Sequence, residues 1–194
     1  MYPALDFGAG EKERQTLETL LLTPASRTSI ALGKFLVVLT SSLTTAGLGI
    51  GSLAVMFVYF VPKPILAQLD LNLGATQVIA LLLLAVPPCA ASSGVFLAIS
   101  VFARSMREAQ SYLAPVPLLF ILPAGAGMIP GLEISTKLAL IPLVNVSLVS
   151  REILKGEVPW GYFAMTVGSC GMLALICVAA CVWMFRRESV LFRV

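Results

Sequence analysis

Residues 162–185 read YFAMTVGSCGMLALICVAACVWMF and contain no charged side chain. An α-helix of this length rises about 36 Å at 1.5 Å per residue, which exceeds the roughly 30 Å hydrocarbon core of a bilayer. Residues 35–60 form a second charge-free stretch of similar length. Both stretches therefore predict membrane-spanning helices, and together they decide the fold class.

The composition supports the same conclusion. With 58% hydrophobic and 12% charged residues among 194, the chain has too little polar surface to cover a soluble globule. Two further apolar stretches complete the set, so we predict spans at about 34–60, 78–102, 112–128 and 162–185. The expected fold is an all-α integral membrane protein, with residues 1–194 as a single transmembrane domain. Its first partner is the lipid bilayer, and nothing indicates nucleic acid.

Three of the predicted spans carry irregular features. Pro87 and Pro88 should kink the second span, as a structural bend or as a moving hinge. The third span contains Pro115, Pro117 and Pro123 and should be an irregular helix. The first span is rich in small and hydroxylated residues, which suit close helix packing or a polar-lined passage. These residues are Thr40, Ser41, Ser42, Thr44, Thr45, Gly47, Gly49 and Gly51.

Residues 138–149 are apolar but too short to span, and Pro142 and Asn145 interrupt them. We interpret them as a short re-entrant or interfacial helix before the last span, where Trp160 and Tyr162 form an interfacial anchor.

The distribution of Lys and Arg predicts the orientation. One side of a four-span path holds Lys12, Arg14, Arg27, Lys34, Arg104, Arg107, Arg186, Arg187 and Arg193. The other side holds Lys63, Lys137, Arg151 and Lys155. Because positive residues concentrate on the cytoplasmic side, both termini should be cytoplasmic in a multi-pass protein of the cytoplasmic membrane. A fifth crossing by residues 138–149 would instead place the C-terminus outside.

The sequence offers no catalytic apparatus. It contains no histidine, and no ionisable group lies within the four spans, where an intramembrane enzyme would need one. The four cysteines fall in apolar stretches without CxxC spacing, so we interpret them as small buried hydrophobes rather than metal ligands. Residues 8–12 lack the spacing of a phosphate-binding loop. We expect no enzyme activity, no metal and no cofactor on this chain, so any ATP must be bound by another chain.

Residues 11–22 predict a short amphipathic helix just before the first span. Leu17, Leu20 and Leu21 fall at helical spacing, Arg14 and Glu18 can pair weakly four residues apart, and Pro24 should stop the helix. The helix could lie on lipid, form a solvated linker or dock a cytoplasmic partner. Helices that bind anionic lipid usually carry excess Lys and Arg, whereas this one is rich in glutamate, which favours docking.

Four stretches of this chain resemble a known family. They are GEKERQTLETLL at residues 10–21 followed by Thr23-Pro24 and Gly33-Lys34, FARSMREAQSY at 102–112, IPLVNVS at 141–147, and REILKGE at 151–157. Together they resemble ABC-2 type transporter permeases, most closely the sodium-efflux, NatB-type branch.

The resemblance implies a permease subunit of an exporter that works by alternating access, with sodium as one possible substrate. Residues 11–22 would be its coupling helix. A separate ATP-binding subunit would hold ATP and Mg, and a second permease half, identical or related, would complete the transporter. The residues implied to meet the ATPase are Glu11, Glu13, Arg14, Thr16, Leu17, Glu18, Leu20, Leu21 and Pro24, and the turn implied to be cytoplasmic contains Arg104, Arg107 and Glu108.

Family members of this type begin with an additional span and a large extracytoplasmic region. We therefore expect this chain to be a C-terminal fragment of such a subunit. A non-transporting membrane scaffold or assembly subunit is the alternative function.

Overall fold

The computed structural model describes residues 1–21, 24–62, 74–129 and 134–186. Within these ranges the chain is helical and contains no strand, as the all-α prediction requires. The α-helices are α1 (Tyr2–Leu5), α2 (Glu11–Glu13), α3 (Thr16–Leu21), α4 (Arg27–Tyr59), α5 (Ala75–Phe102), α6 (Met106–Leu113), α7 (Val116–Ala124), α8 (Thr136–Ala139), α9 (Val144–Leu154) and α10 (Trp160–Arg186). A π-helical turn, Asp6–Gly10, joins α1 to α2, and a 3-10 turn, Gly125–Met128, follows α7.

Four helical stretches of the described chain are long and apolar enough to cross a membrane: Arg27–Phe57, Ala75–Phe102, Met106–Met128 and Trp160–Phe185. This confirms the prediction of about four spans. Many of their large apolar side chains are exposed, including Leu48, Leu122 and Leu175, each at least 71% exposed. Exposed apolar surfaces of this extent are typical of helices that contact lipid or another membrane protein.

Helix α4, which contains the first predicted span, begins before Lys34. Ser26 stands before α4, and its hydroxyl accepts the backbone N–H of Ser29 at 3.1 Å, which caps the helix. Helix α4 therefore starts at Arg27, and Lys34 lies two turns inside it.

The prolines interrupt the helix of the third span but not the helix of the second span. Pro87 and Pro88 lie inside the continuous helix α5. In the third span, a turn at Ala114 and Pro115 separates α6 from α7, and the helix finishes in the 3-10 turn. The third span is therefore irregular, as predicted.

Residues 138–149 do not form one element. Helix α8 ends at Ala139, and Leu143 adopts a left-handed backbone with φ of 71° before α9 begins. Pro142 explains part of this break because it disfavours helical geometry in the residue before it. Helix α9 then continues to Leu154 and includes the charged residues Arg151 and Glu152.

The contacts divide the chain into two compact units. The first comprises the described residues of Met1–Ser42, Cys89–Leu119 and Leu173–Val194. Its core contains Ala4 of α1, Phe35 of α4, Leu97 of α5 and Phe185 of α10. In this unit α5 and α10 approach closely, because a Cβ on Gly94 would lie only 3.1 Å from the Cβ of Cys177. Small residues allow such contacts between helices in lipid.

The second unit comprises the described residues of Leu43–Pro88 and Phe120–Met172. Ala80 and Leu84 of α5 form its apolar core with Val149 and Ile153 of α9.

A buried polar cluster in the second unit joins α9 to α10. The fully buried Asn145 amide donates to the Ala139 carbonyl at 2.8 Å and to the Ser169 hydroxyl at 2.6 Å. Its oxygen accepts from the Cys170 thiol at 3.4 Å. These bonds satisfy a polar side chain that would otherwise destabilise an apolar interior.

Candidate partner-docking site

The predicted amphipathic helix is two short helices rather than one. Helix α2 ends at Glu13, and Gln15 adopts a left-handed backbone with φ of 57° before α3 begins at Thr16. The Gln15 N–H bonds to the Lys12 carbonyl at 3.1 Å, which closes the turn. We call Glu11–Leu21 the docking segment; the predicted continuous helix over residues 11–22 is wrong at this break.

The chain before the docking segment packs tightly against α5. A Cβ on Gly8 would lie 2.3 Å from the Ser100 hydroxyl oxygen and 2.8 Å from the Ser100 carbonyl carbon, so only glycine fits there. The same hydroxyl accepts the Ala9 N–H at 3.0 Å. One residue further along α5, the Val101 carbonyl accepts a hydrogen bond from the Lys12 ammonium. The start of the docking segment is therefore fixed to the second span.

A buried lysine ties the docking segment to the first span. Lys34 of α4 is 7% exposed, and its ammonium donates to the Phe7 carbonyl at 2.9 Å and forms an ion pair with the Glu11 carboxylate. The ammonium also lies 5.6 Å from the ring centroid of Phe185 at the end of α10, within range for a cation–π contact.

The turn between α5 and α6 contacts the docking segment from another side. The Glu13 carboxylate accepts the backbone N–H of Met106, the first residue of α6, at 3.0 Å. Ser105 caps α6 by accepting the Glu108 N–H at 3.3 Å, and Glu108 accepts the Arg104 N–H at 2.7 Å. Negative side chains are favourable at this end of a helix because its free N–H groups and its dipole are positive.

The outward side of the docking segment is polar and exposed. Arg14, Thr16 and Thr19 are all exposed, and Arg14 pairs with Asp6 at 3.5 Å. Glu11, Thr16, Thr19 and Leu20 line an open depression of about 360 Å³. Because Glu11, Lys12 and Glu13 hold α2 to the rest of the first unit, the α2 side of this depression has a fixed support.

The structure separates the residues that the resemblance implied as one contact surface. Glu11 is half-buried and pairs with Lys34, whereas Glu13, Arg14, Thr16 and Pro24 are exposed, although Glu13 also bonds to Met106. Leu20 lines the depression. The side chains of Leu17, Glu18 and Leu21, with residues 22–23, lie outside the described part of the structure. In the predicted cytoplasmic turn, Arg104 and Arg107 are exposed and Glu108 is half-buried.

Four contacts of this region were not predicted from the sequence: Gly8 with Ser100, Lys12 with Val101, Lys34 with Glu11, and Glu13 with Met106. A signal existed for the turn, since Ser105 and Glu108 have the S-x-x-E spacing of a capping box before an apolar run. A second signal was Lys34 itself, a charge directly before the charge-free stretch 35–60.

Comparison with known proteins identifies the family. The model of the ABC-2 family transporter proteins matches residues 4–190, nearly the whole chain. The chain belongs to the ABC-2 transporter family. This ABC-2 family chain is also 31% identical over 191 residues to the ABC transporter permease protein NatB of Bacillus subtilis (strain 168).

The match covers 89% of this ABC-2 family chain but 45% of the NatB permease. The chain therefore spans less than half the length of that relative. No solved structure matches it.

Proposed function

We propose that this chain forms part of the permease subunit of an ABC-type exporter. The observation that carries the proposal is the family match over residues 4–190, together with four membrane-spanning helices. The resemblance to the NatB permease supports the same role. In this account the chain provides the membrane path and a separate ATP-binding subunit holds ATP and Mg. The chain itself is a transport component rather than an enzyme.

The docking segment would be the surface that receives the ATP-binding subunit. It combines an exposed depression with hydrogen bonds and an ion pair that join α2 to α4, α5 and α6. A partner that pushes on a loosely attached helix moves only that helix, whereas a partner that pushes on this segment acts on the spans directly. The exposed Arg104 and Arg107 lie in the neighbouring turn and would extend the surface.

The transport mechanism would be alternating access between two permease halves. Binding of ATP would draw two partner subunits together, and the docking segments would move with them and reorient the spans. Both ends of the described chain, with the docking segment, would then lie in the cytoplasm, in agreement with the excess of Lys and Arg on that side. Sodium is the proposed substrate, on the strength of the NatB resemblance alone.

A test of docking requires a variant that fills the depression without breaking a contact between the docking segment and the rest of the first unit. Glu13 is unsuitable because its carboxylate holds the Met106 N–H. Thr19 is suitable because it is exposed and its hydroxyl donates to the nearby Thr16 carbonyl at 2.8 Å. Thr19→Trp should fill the depression, and the exposed Thr76 at the start of α5 provides the matched control Thr76→Trp.

The full-length permease should be co-expressed with the ATP-binding subunit of its own cell and purified through a tag on the permease. We expect Thr19→Trp to lower co-purification of the ATP-binding subunit at least about tenfold, because about 1.4 kcal/mol of lost contact suffices. Thr76→Trp should leave it unchanged. Equal co-purification by both variants would contradict docking at this surface, and an assembled complex without ATP-dependent flux would favour the scaffold alternative.

A further inference from the structure

We propose that Lys34 is the positioning residue through which the docking segment moves the first and last spans. The inference rests on the proposed function, since it assumes that an ATP-binding subunit pushes on the docking segment. It assigns the transmission of that movement to one ammonium group and its three contacts: the Phe7 carbonyl, the Glu11 carboxylate and the Phe185 ring.

The backbone before the docking segment departs from regular α-helix geometry. In a regular α-helix the Glu11 N–H would bond to the Phe7 carbonyl, four residues earlier. In the π-helical turn Asp6–Gly10 it bonds to the Asp6 carbonyl instead. The Phe7 carbonyl accepts the Lys34 ammonium at 2.9 Å. The π-helical turn and the lysine contact thus fit each other, and such turns are frequent at functional positions in helices.

The ion pair between Lys34 and Glu11 is shielded from water. The Lys34 side chain is 7% exposed and the Glu11 side chain is 22% exposed, so water screens this ion pair far less than a surface pair. The Arg14–Asp6 pair of the same region provides the contrast, with side chains 70% and 57% exposed. An exposed pair contributes little and breaks easily. A shielded pair with a carbonyl and a ring around the same ammonium resists separation and can transmit a displacement.

The Lys34 ammonium joins three separate parts of the first unit. Its stem belongs to α4, its two oxygen partners belong to the chain at the start of the docking segment, and the ring belongs to the last turn of α10. Replacing a buried ion pair by two apolar side chains is often neutral or stabilising, whereas removing one partner is costly. If stability were the only role of Lys34, removing both charges together would leave function intact. This difference separates a positioning role from a structural one.

The test uses the full-length permease assembled with its ATP-binding subunit in lipid nanodiscs. A reporter cysteine replaces Gly49, which lies on α4 about four turns beyond Lys34 and has open space where a side chain would stand. The native cysteines of the permease are replaced by alanine, including the four of this chain. The measurement is the ratio of the rates at which a small methanethiosulfonate modifies the reporter with and without ATP, beside co-purification of the ATP-binding subunit.

Four variants are compared with this parent: Lys34→Met, the double variant Lys34→Met with Glu11→Met, the rescue variant Lys34→Arg, and the control Lys155→Met. The control removes an ion pair of the second unit, Lys155–Glu152 at 2.8 Å. We expect Lys34→Met, Lys34→Arg and Lys155→Met to retain the ATP-binding subunit. Because Glu11 also lines the depression, the ATP-dependent change of the double variant is expressed per bound ATP-binding subunit. Lys34→Met and the double variant should lower the ATP-dependent change about tenfold, within the usual range of coupling between sites, while Lys34→Arg and Lys155→Met keep it.

Recovery of the ATP-dependent change in the double variant would overturn the inference, because it would show that the pair only stabilises the fold. An unchanged response in Lys34→Met would overturn it as well. In both cases the proposed function would survive, since the ATP-binding subunit still docks and still moves α4. A parent complex that does not assemble, or that shows no response to ATP, would overturn the proposed function and this inference with it.

Discussion

Substitution of Gly8 by alanine tests the packing that supports the docking segment. The new Cβ would lie 2.6 Å from the Ser100 Cβ and 2.8 Å from its carbonyl carbon. Ordinary contact between such atoms begins near 3.4 Å, so the two backbones must separate by at least about 0.6 Å. Ser100 is fully buried and has no free space into which it can move.

The expected cost has two parts. Forcing one extra methyl group into a packed site costs about 1–3 kcal/mol. A separation of about 0.6 Å would also stretch the 3.0 Å bond between the Ala9 N–H and the Ser100 hydroxyl beyond hydrogen-bonding range, which costs about 1 kcal/mol more. Gly8→Ala should therefore lower the free energy of unfolding by about 2–4 kcal/mol.

The assay is thermal unfolding of the purified protein in detergent, with Gly33→Ala as the matched control. Gly33 lies in α4, and a Cβ there would meet no atom within 4 Å. Its substitution should raise stability by about 0.5–1 kcal/mol, because alanine is the better helix former. The reasoning is refuted if Gly8→Ala unfolds at the same temperature as the unsubstituted protein, or if both alanine variants shift it equally.

Three further substitutions probe other contacts, each followed by thermal unfolding. Ser105→Ala removes the cap of α6 and should cost about 1 kcal/mol; a cost equal to that of Ser111→Ala, which removes a hydroxyl later in the same helix, would argue against the cap. Asn145→Ala removes the three hydrogen bonds of a buried side chain and should lower the free energy of unfolding by about 2 kcal/mol. A loss below roughly 0.3 kcal/mol would mean that the cluster is not formed. Thr166→Val should be neutral or stabilise by about 1 kcal/mol, because the buried Thr166 hydroxyl has no hydrogen-bond partner among the described residues; clear destabilisation would show that it has one.

The spans could be predicted from sequence because the physics that fixes them is local. A run of apolar residues without charge, such as 162–185, must be helical in lipid whatever surrounds it. The irregular third span was equally predictable, since Pro115 and its neighbours remove backbone donors at known positions.

The break in the docking segment was not predictable in the same way. The leucine spacing across residues 11–22 is helical on both sides of Gln15, and nothing in the residue type requires a left-handed backbone there. The reason for the break is tertiary, because α2 is held to α5 and α6 by Lys12 and Glu13.

The candidate site shows the same division between local and distant causes. The charge of residues 11–24 and their position before a span predicted that they could contact a partner. The contact of Glu11 with Lys34 could not be predicted from the sequence, because Lys34 lies 23 residues away and was interpreted as the edge of the span. Sequence spacing identifies which residues share a helix face, but a contact between elements depends on how those elements pack.

The central claim is that the docking segment receives an ATP-binding subunit, and crosslinking from Thr19 tests it most directly. A photoreactive amino acid is placed at Thr19 in the full-length permease, with a second variant carrying it at the exposed Thr76 as control. After illumination of intact cells, adducts are identified by mass spectrometry. We predict that Thr19 yields an adduct with an ATP-binding subunit and that Thr76 does not. An adduct with lipid alone at Thr19, or the same protein adducts at both positions, would contradict the account.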